Sequence, residues 1–165
     1  MIVVSNSSPL ITLARIGQLE LLRQLFGEIK IADEVRQEVV VRGAGRPAAE
    51  VVRSAGWIAI HAAAPADEML RLRAQYPLGS GELATILLAR RLNADLVIMD
   101  ERSARRLAQA NRLPVIGCVG VLDTCHRKGL VTDLRAAYEQ LLLQGIRIDR
   151  QILDQSLIAN GFQPL

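Results

Sequence analysis

The sequence predicts an α/β fold of three layers, α/β/α, around a central parallel sheet of about four to five short strands. Three observations carry this. Short apolar runs alternate with longer helical stretches along 165 residues, and strands separated by helices pair in parallel through crossovers. The length suits a single domain over residues 1–165 with one sizeable core. Half the residues are hydrophobic and 22% are charged, which excludes the disordered and fibrous classes.

Taken in order, Ile2-Val3-Val4 is a short apolar run. Ser5-Asn6-Ser7-Ser8-Pro9 ends it with a helix cap and a first-turn proline. A helix follows through Leu10, Leu13 and Ala14 to Gly17, and a second covers Leu19 to Phe26, stopped by Gly27. Ile29 to Ile31 is a short strand, after which Asp33 caps a helix with Val35 and Val39 on one face. Gly43 to Pro47 is a loop, and Pro47 opens another helix. Trp57 to Ile60 reads as a strand, and helices occupy 67–76 and 81–92. Leu96-Val97-Ile98-Met99, flanked by Asp95 and Asp100, is the clearest buried strand. A helix from Ser103 to Asn111, a strand at Pro114-Val115-Ile116 and a helix from Gly117 to Lys128 follow. Helices over Leu134 to Gln144 and Gln151 to Ala159 close the chain. Their apolar stripe, Leu134, Tyr138, Leu141, Leu142, Ile152 and Leu153, fits either core or a helical dimer face.

The longest predominantly apolar stretch, Leu83 to Ala89, is about seven residues, against the roughly 20 that span a bilayer. The first residues carry no basic n-region, so no secretory signal is read there. The expectation is a soluble, cytoplasmic protein without a membrane partner. Cys118 and Cys125 make no CxxC pair, and with His126 they lack a fourth soft-metal ligand, so buried helix-face cysteines are expected. Twenty basic residues exceed 17 acidic ones by three, and only Lys30 and Lys128 are lysines. Arginine forks onto phosphate, which suits a nucleic acid, although a GC-rich genome, which also favours alanine, gives the same count. The segment Arg90 to Arg112 carries six arginines against Asp95, Asp100 and Glu101, equal to the whole excess. Aromatics are 3% of the chain, too few for a base-stacking platform, so any nucleic acid is held by its backbone. Glycine-rich phosphate fingerprints are absent, which weakens dinucleotide or nucleotide-triphosphate binding.

In an open parallel sheet, ligands bind beyond the carboxyl ends of the strands. Asn6 and Asp100 stand at two such ends, and Glu38 and Glu82 can join them from helices. Oxygen donors without histidine or thiolate suit a hard cation such as Mg²⁺ or Mn²⁺, which can activate water against a phosphodiester. Each residue also has an ordinary structural role open to it. Glu82 can complement a helix dipole, Asp100 and Glu101 can cap a helix, Glu38 can be a solvated neighbour of Glu34, and Asn6 can be a turn residue. Arg102, Arg105 and Arg106 are helical neighbours expected on one side of the Asp100 crevice, against phosphate or as a solvated face.

Val4-Ser5-Asn6-Ser7-Ser8-Pro9-Leu10-Ile11 resembles the opening of PIN domains, where Asp-Thr/Ser-Ser usually follows a hydrophobic strand. Ile31 to Val39, Leu78 to Ala84 and Leu96 to Arg105 resemble the segments bearing the family's second, third and fourth acidic residues. Val115 to Leu122 follows as in PIN-like proteins of the VapC toxin type, and the resemblance runs over roughly residues 2–130. It implies a Mg²⁺- or Mn²⁺-dependent endoribonuclease, usually dimeric and often the toxin of a type II toxin–antitoxin pair, with RNA and an antitoxin protein as partners. Carried over, the catalytic and metal-binding set is Asn6, Glu38, Glu82 and Asp100, with Ser8 and Glu101 as supporting neighbours. Asn6 stands where most PIN nucleases have Asp, and Ile98 where many have Thr or Ser. The alternative is a degenerate PIN module that binds RNA or a protein without cutting. A receiver-like phospho-acceptor domain needs an acidic pair after the first strand, and Ser5 to Ser8 offers none.

Overall fold

The computed structural model describes residues 1–165. The apolar runs become five strands: β1 (Val3–Ser5), β2 (Ile29–Ala32), β3 (Ile58–His61), β4 (Leu96–Ile98) and β5 (Val115–Ile116). All pair in parallel, in the order β3-β2-β1-β4-β5. All three β1 residues are buried, and β4 is buried at Val97 and Ile98, as expected of parallel strands covered on both faces.

The helices are α1 (Ser7–Arg15), α2 (Glu20–Phe26), α3 (Asp33–Arg36), α4 (Pro47–Ser54), α5 (Ala66–Gln75) and α6 (Ser80–Leu92). They continue as α7 (Arg102–Ala110), α8 (Cys118–Arg127), α9 (Leu134–Leu143) and α10 (Arg150–Ala159). The long helix α6 lies on β1, β2 and β4, with α3 and α5 packed beside it. Its residues Leu83 to Ala89 are all buried, which is why its sequence is apolar around its whole circumference. Elsewhere, α2 meets β2, and α8 meets α1, α2, α9 and α10. One hydrophobic cluster of 39 buried residues runs through these layers, and each fully buried Leu, Ile or Val contributes about 1.5–3 kcal/mol. The expected α/β/α architecture with a parallel sheet is what the chain forms. No helix is long and apolar enough to cross a membrane.

Two local expectations are corrected. Asp33 does not cap its helix: Ala32 holds the cap position, and Asp33 is the first helical residue, paired with Arg36 at 2.7 Å. The helix does not continue at a period of 3.6 either. Gln37–Val41 is a π-helical segment, closed where the Arg42 amide donates to the Gln37 carbonyl at 2.8 Å. Such a wide turn inserts one residue and re-aims its neighbours.

Strand order positions the site. The chain moves from β1 outward through β2 to β3, then crosses back to lay β4 on the other side of β1. The direction of winding reverses between β1 and β4, and a crevice opens beyond the carboxyl ends of strands at such a reversal. Ser5 is in register with Ile98, so Asn6 leaves β1 beside the end of β4, and its amide donates to the Ile98 carbonyl at 3.0 Å.

Candidate active site

Asn6 occupies the cap position of α1, with extended backbone, yet its side chain makes no capping bond. It is 2% exposed, and its Oδ1 is buried without any hydrogen-bond partner. The cap expected from Ser5 to Pro9 is therefore present in backbone form only. Its amide oxygen is left with nothing to accept from.

Glu38 crosses to the same place from the π-helical segment. Its Oε2 accepts from the Ser7 hydroxyl at 2.5 Å and its Oε1 from the Gly81 amide at 2.9 Å. It is half-buried and inward-facing, not a solvated neighbour of Glu34. The Arg42 guanidinium stands 3.9 Å away, exposed and worth little. Gly81 is needed for this approach: a Cβ there would lie 2.5 Å from Glu38 Oε1 and 2.7 Å from Cδ. Glycine therefore gives the Glu38 carboxylate its place at the start of α6, where the helix dipole favours negative charge. Ser8 is exposed, and the hydroxyl beside Glu38 is that of Ser7, one residue and about 100° round the helix.

Glu82 sits in the first turn of α6 and accepts from the Gly79 amide at 3.0 Å. Partial burial, followed by the charges of Glu101 and Glu38, pushes its carboxyl above the ordinary carboxylate range despite that hydrogen bond. Glu101 holds the cap position of α7 and makes no capping bond with its side chain.

Asp100 follows β4. Its Oδ1 accepts from the Cys118 amide at 2.7 Å and its Oδ2 from the Cys118 thiol at 3.0 Å. A Cβ on Gly117 would lie 2.8 Å from Asp100 Oδ1 and 2.9 Å from Arg105 Nη1, so this carboxylate also fills a space left by glycine. Burial and the Asp100 charge push the Cys118 thiol well up, which keeps it a protonated donor. Arg105 donates to the Met99 carbonyl at 2.9 Å, while Arg102 and Arg106 project from α7 exposed and in no ion pair within 4 Å.

Of the four residues singled out in the sequence, Glu38 is hydrogen-bonded to Ser7, the residue after Asn6, and to Gly81, the residue before Glu82. Glu82 feels the charges of Glu101 and Glu38, whereas the Asn6 side chain is bonded to none of the others and Asp100 is bonded to Cys118. Sequence reasoning missed Ser7, Gly81, Gly117 and Cys118. The GSG turn before Glu82 was a signal, but the reason for Gly81 is the carboxylate of Glu38. Cys118 and Cys125 are both buried residues of α8, and His126 Nδ1 lies 2.7 Å from the Val131 carbonyl.

A hard divalent cation fits the donors present. All four are oxygens, one is a buried amide oxygen with no other partner, and the ionised form of Glu82 is disfavoured by burial and then by the negative charge around it, which a cation would offset. No three His, Cys, Asp or Glu side chains converge closely enough to hold one ion as they stand.

Compared with known families, residues 2–161 match the family described as PIN domain. No curated protein and no solved structure matches the chain.

Proposed function

The chain belongs to the PIN-domain family, whose members are generally nucleases, and from that premise we propose that it is a Mg²⁺- or Mn²⁺-dependent endoribonuclease. The observation that carries the proposal is Asn6 Oδ1, a buried oxygen without a donor at the point where the sheet reverses its winding, in a site that also holds the carboxylates of Glu38, Glu82 and Asp100. A buried acceptor left unpaired costs about 1–3 kcal/mol, and a cation is the partner that would remove the cost.

Glu38, Glu82, Asp100 and Asn6 would hold the ion, which supplies Lewis-acid charge to a phosphodiester and lowers the pKa of water. The chain's own groups do the rest. Ser7 and the Gly81 amide orient Glu38, and the start of α8 orients Asp100, so both carboxylates enter the site from fixed anchors. Glu82 enters from the first turn of α6, held by the Gly79 amide. Arg102 and Arg106, exposed on α7, would meet the RNA backbone, and Arg105 donates to the Met99 carbonyl.

The resemblance to VapC-type toxins extends the proposal to a cytoplasmic, homodimeric toxin neutralised by an antitoxin protein. A small overlapping upstream reading frame encoding a DNA-binding protein would support that extension. One feature favours a second reading, an RNA- or protein-binding module without cleavage: the first acidic position holds Asn6, and the carboxylates do not converge as they stand. Calorimetric titration of Mn²⁺ and Mg²⁺, with a gel assay on mixed RNA, separates the two. Asp100→Asn should abolish metal binding and cleavage together. Wild type that binds neither ion and cuts no RNA would leave the module reading.

A further inference from the structure

We infer that Cys118 is a positioning residue for Asp100, its thiol fixing the orientation in which the carboxylate faces the crevice. The inference rests on the metal-dependent reading and deepens it.

A free aspartate carboxylate rotates about its last torsion, which is soft. Here both oxygens are tied to one residue. The Cys118 amide donates to Oδ1 at 2.7 Å and its thiol to Oδ2 at 3.0 Å. Any residue at position 118 except proline supplies the amide, but only one with a side-chain donor of suitable reach supplies the second bond. The thiol has a single proton and two acceptors, Asp100 Oδ2 at 3.0 Å and the Pro9 carbonyl at 3.8 Å, with the Thr12 side chain as a further hydrogen-bonding neighbour. The nearer one is charged, so the proton goes there. Cys118 is 1% exposed, on the buried face of α8, and its sulfur lies between the start of α1 and the end of β4.

An ionised carboxylate offers about four lone-pair directions. Two are committed to Cys118, which leaves the others available to a ligand. Ligating carboxylates are commonly held by such outer hydrogen bonds, and removing one typically costs 10–100-fold in metal affinity or activity. Glu38 is held in the same manner, by the Gly81 amide and the Ser7 hydroxyl. Each of the two carboxylates thus receives one bond from a helix N-terminus and one from a side chain. For Asp100 the side chain is a thiol, so its role is open to a direct exchange of donor for volume.

Cys118→Ser keeps a donor and loses volume, whereas Cys118→Val fills the space and loses the donor. Mn²⁺ affinity, read by calorimetry or by loss of the free-ion paramagnetic resonance signal, is measured for wild type and both variants, with Tm recorded in chelator. The Ser variant should bind Mn²⁺ within about threefold of wild type even where its Tm falls. The Val variant should bind about 10–100-fold more weakly even where its Tm is kept. A Val variant that binds like wild type, or two variants whose affinities simply follow their Tm, overturns the inference and leaves the nuclease reading standing. Wild type that binds no divalent ion overturns both.

Discussion

Asn6 shows how one residue departs from the pattern around it. Its side chain neither caps α1 nor accepts any bond, so it is held by position alone. Replacing the amide with a carboxylate adds a charge beside three others. At an effective dielectric near 20, two unit charges about 4 Å apart interact by roughly 4 kcal/mol, and a divalent ion doubles this before repulsion and desolvation are subtracted. A net gain on the order of 1–2 kcal/mol remains, about tenfold in affinity. Asn6→Asp should therefore tighten Mn²⁺ or Mg²⁺ binding and raise RNase activity, as read by calorimetry and gel assay. Unchanged affinity would remove Asn6 from the site. Gly81→Ala tests the opposite wall: its Cβ would displace the Glu38 carboxylate, the far end of a flexible side chain, without touching the core. Tm should shift by only a few degrees, since the helix preference of alanine, about 0.5–1 kcal/mol, is set against loss of the Gly81 amide bond to Glu38, about 1–3 kcal/mol, while Mn²⁺ affinity falls about tenfold or more. Strand ends and motif order single out Asn6, Glu38, Glu82 and Asp100 in the sequence. Their partners are not legible there. Ser7 meets Glu38 across 31 residues, Gly81 across 43, and Cys118 meets Asp100 across 18, separations that no local pattern encodes.

At the scale of elements, the apolar runs located all five strands, and proline and glycine marked most helix ends to within a residue or two. The π-helical segment Gln37–Val41 escaped because Val35 and Val39 fit a period of 3.6 as well as the wider turn. It matters because the extra residue sets where Glu38 points. The helix α7 divides its arginines by depth. Ala104 and Ala108 are its buried residues, Arg105 is half-buried against the Met99 carbonyl, and Arg102 and Arg106 stand in solvent. Only the exposed pair is free to exchange water for phosphate. RNA binding should weaken steeply with salt, and Arg102→Ala with Arg106→Ala should lower the log–log slope by roughly 0.7 for each phosphate no longer neutralised. Arg105→Ala should change the slope less, because its guanidinium is already engaged. Fluorescence anisotropy with labelled single-stranded RNA over a salt series measures this. A slope unchanged in the double variant would make α7 a solvated face.

At the scale of the whole molecule, alternation of strand and helix was enough to predict a parallel sheet. It was not enough to order the strands, since the return of β4 to the far side of β1 is decided by packing over the full chain. That return brings Asp100 beside Asn6 and places Glu82 among negative charges, at a cost to the fold. Glu82 is pushed above its ordinary range by burial first and by Glu101 and Glu38 next. Below the ordinary carboxylate range it is protonated in both folded and unfolded chains and costs nothing. As pH rises from that range through the raised native value, the unfolded chain ionises more readily, so stability falls and then levels off. Glu82→Gln keeps an oxygen to accept from the Gly79 amide and removes the charge. In chelator at pH 7 it should therefore melt above wild type, and the difference should vanish as pH falls below about 4. Saturating Mn²⁺ should reverse the order. An ion at about 100 times its Kd adds about 2.7 kcal/mol to the state that binds it. In a domain of this size each kcal/mol is worth about 2–4 °C, so wild type should gain about 5–10 °C and the variant much less. Melting curves of the two proteins, with and without the ion, should thus cross. A variant that melts below wild type in chelator, or that gains as much from Mn²⁺, would mean that Glu82 is an ordinary first-turn carboxylate and that the strain at this edge of the sheet serves no ion.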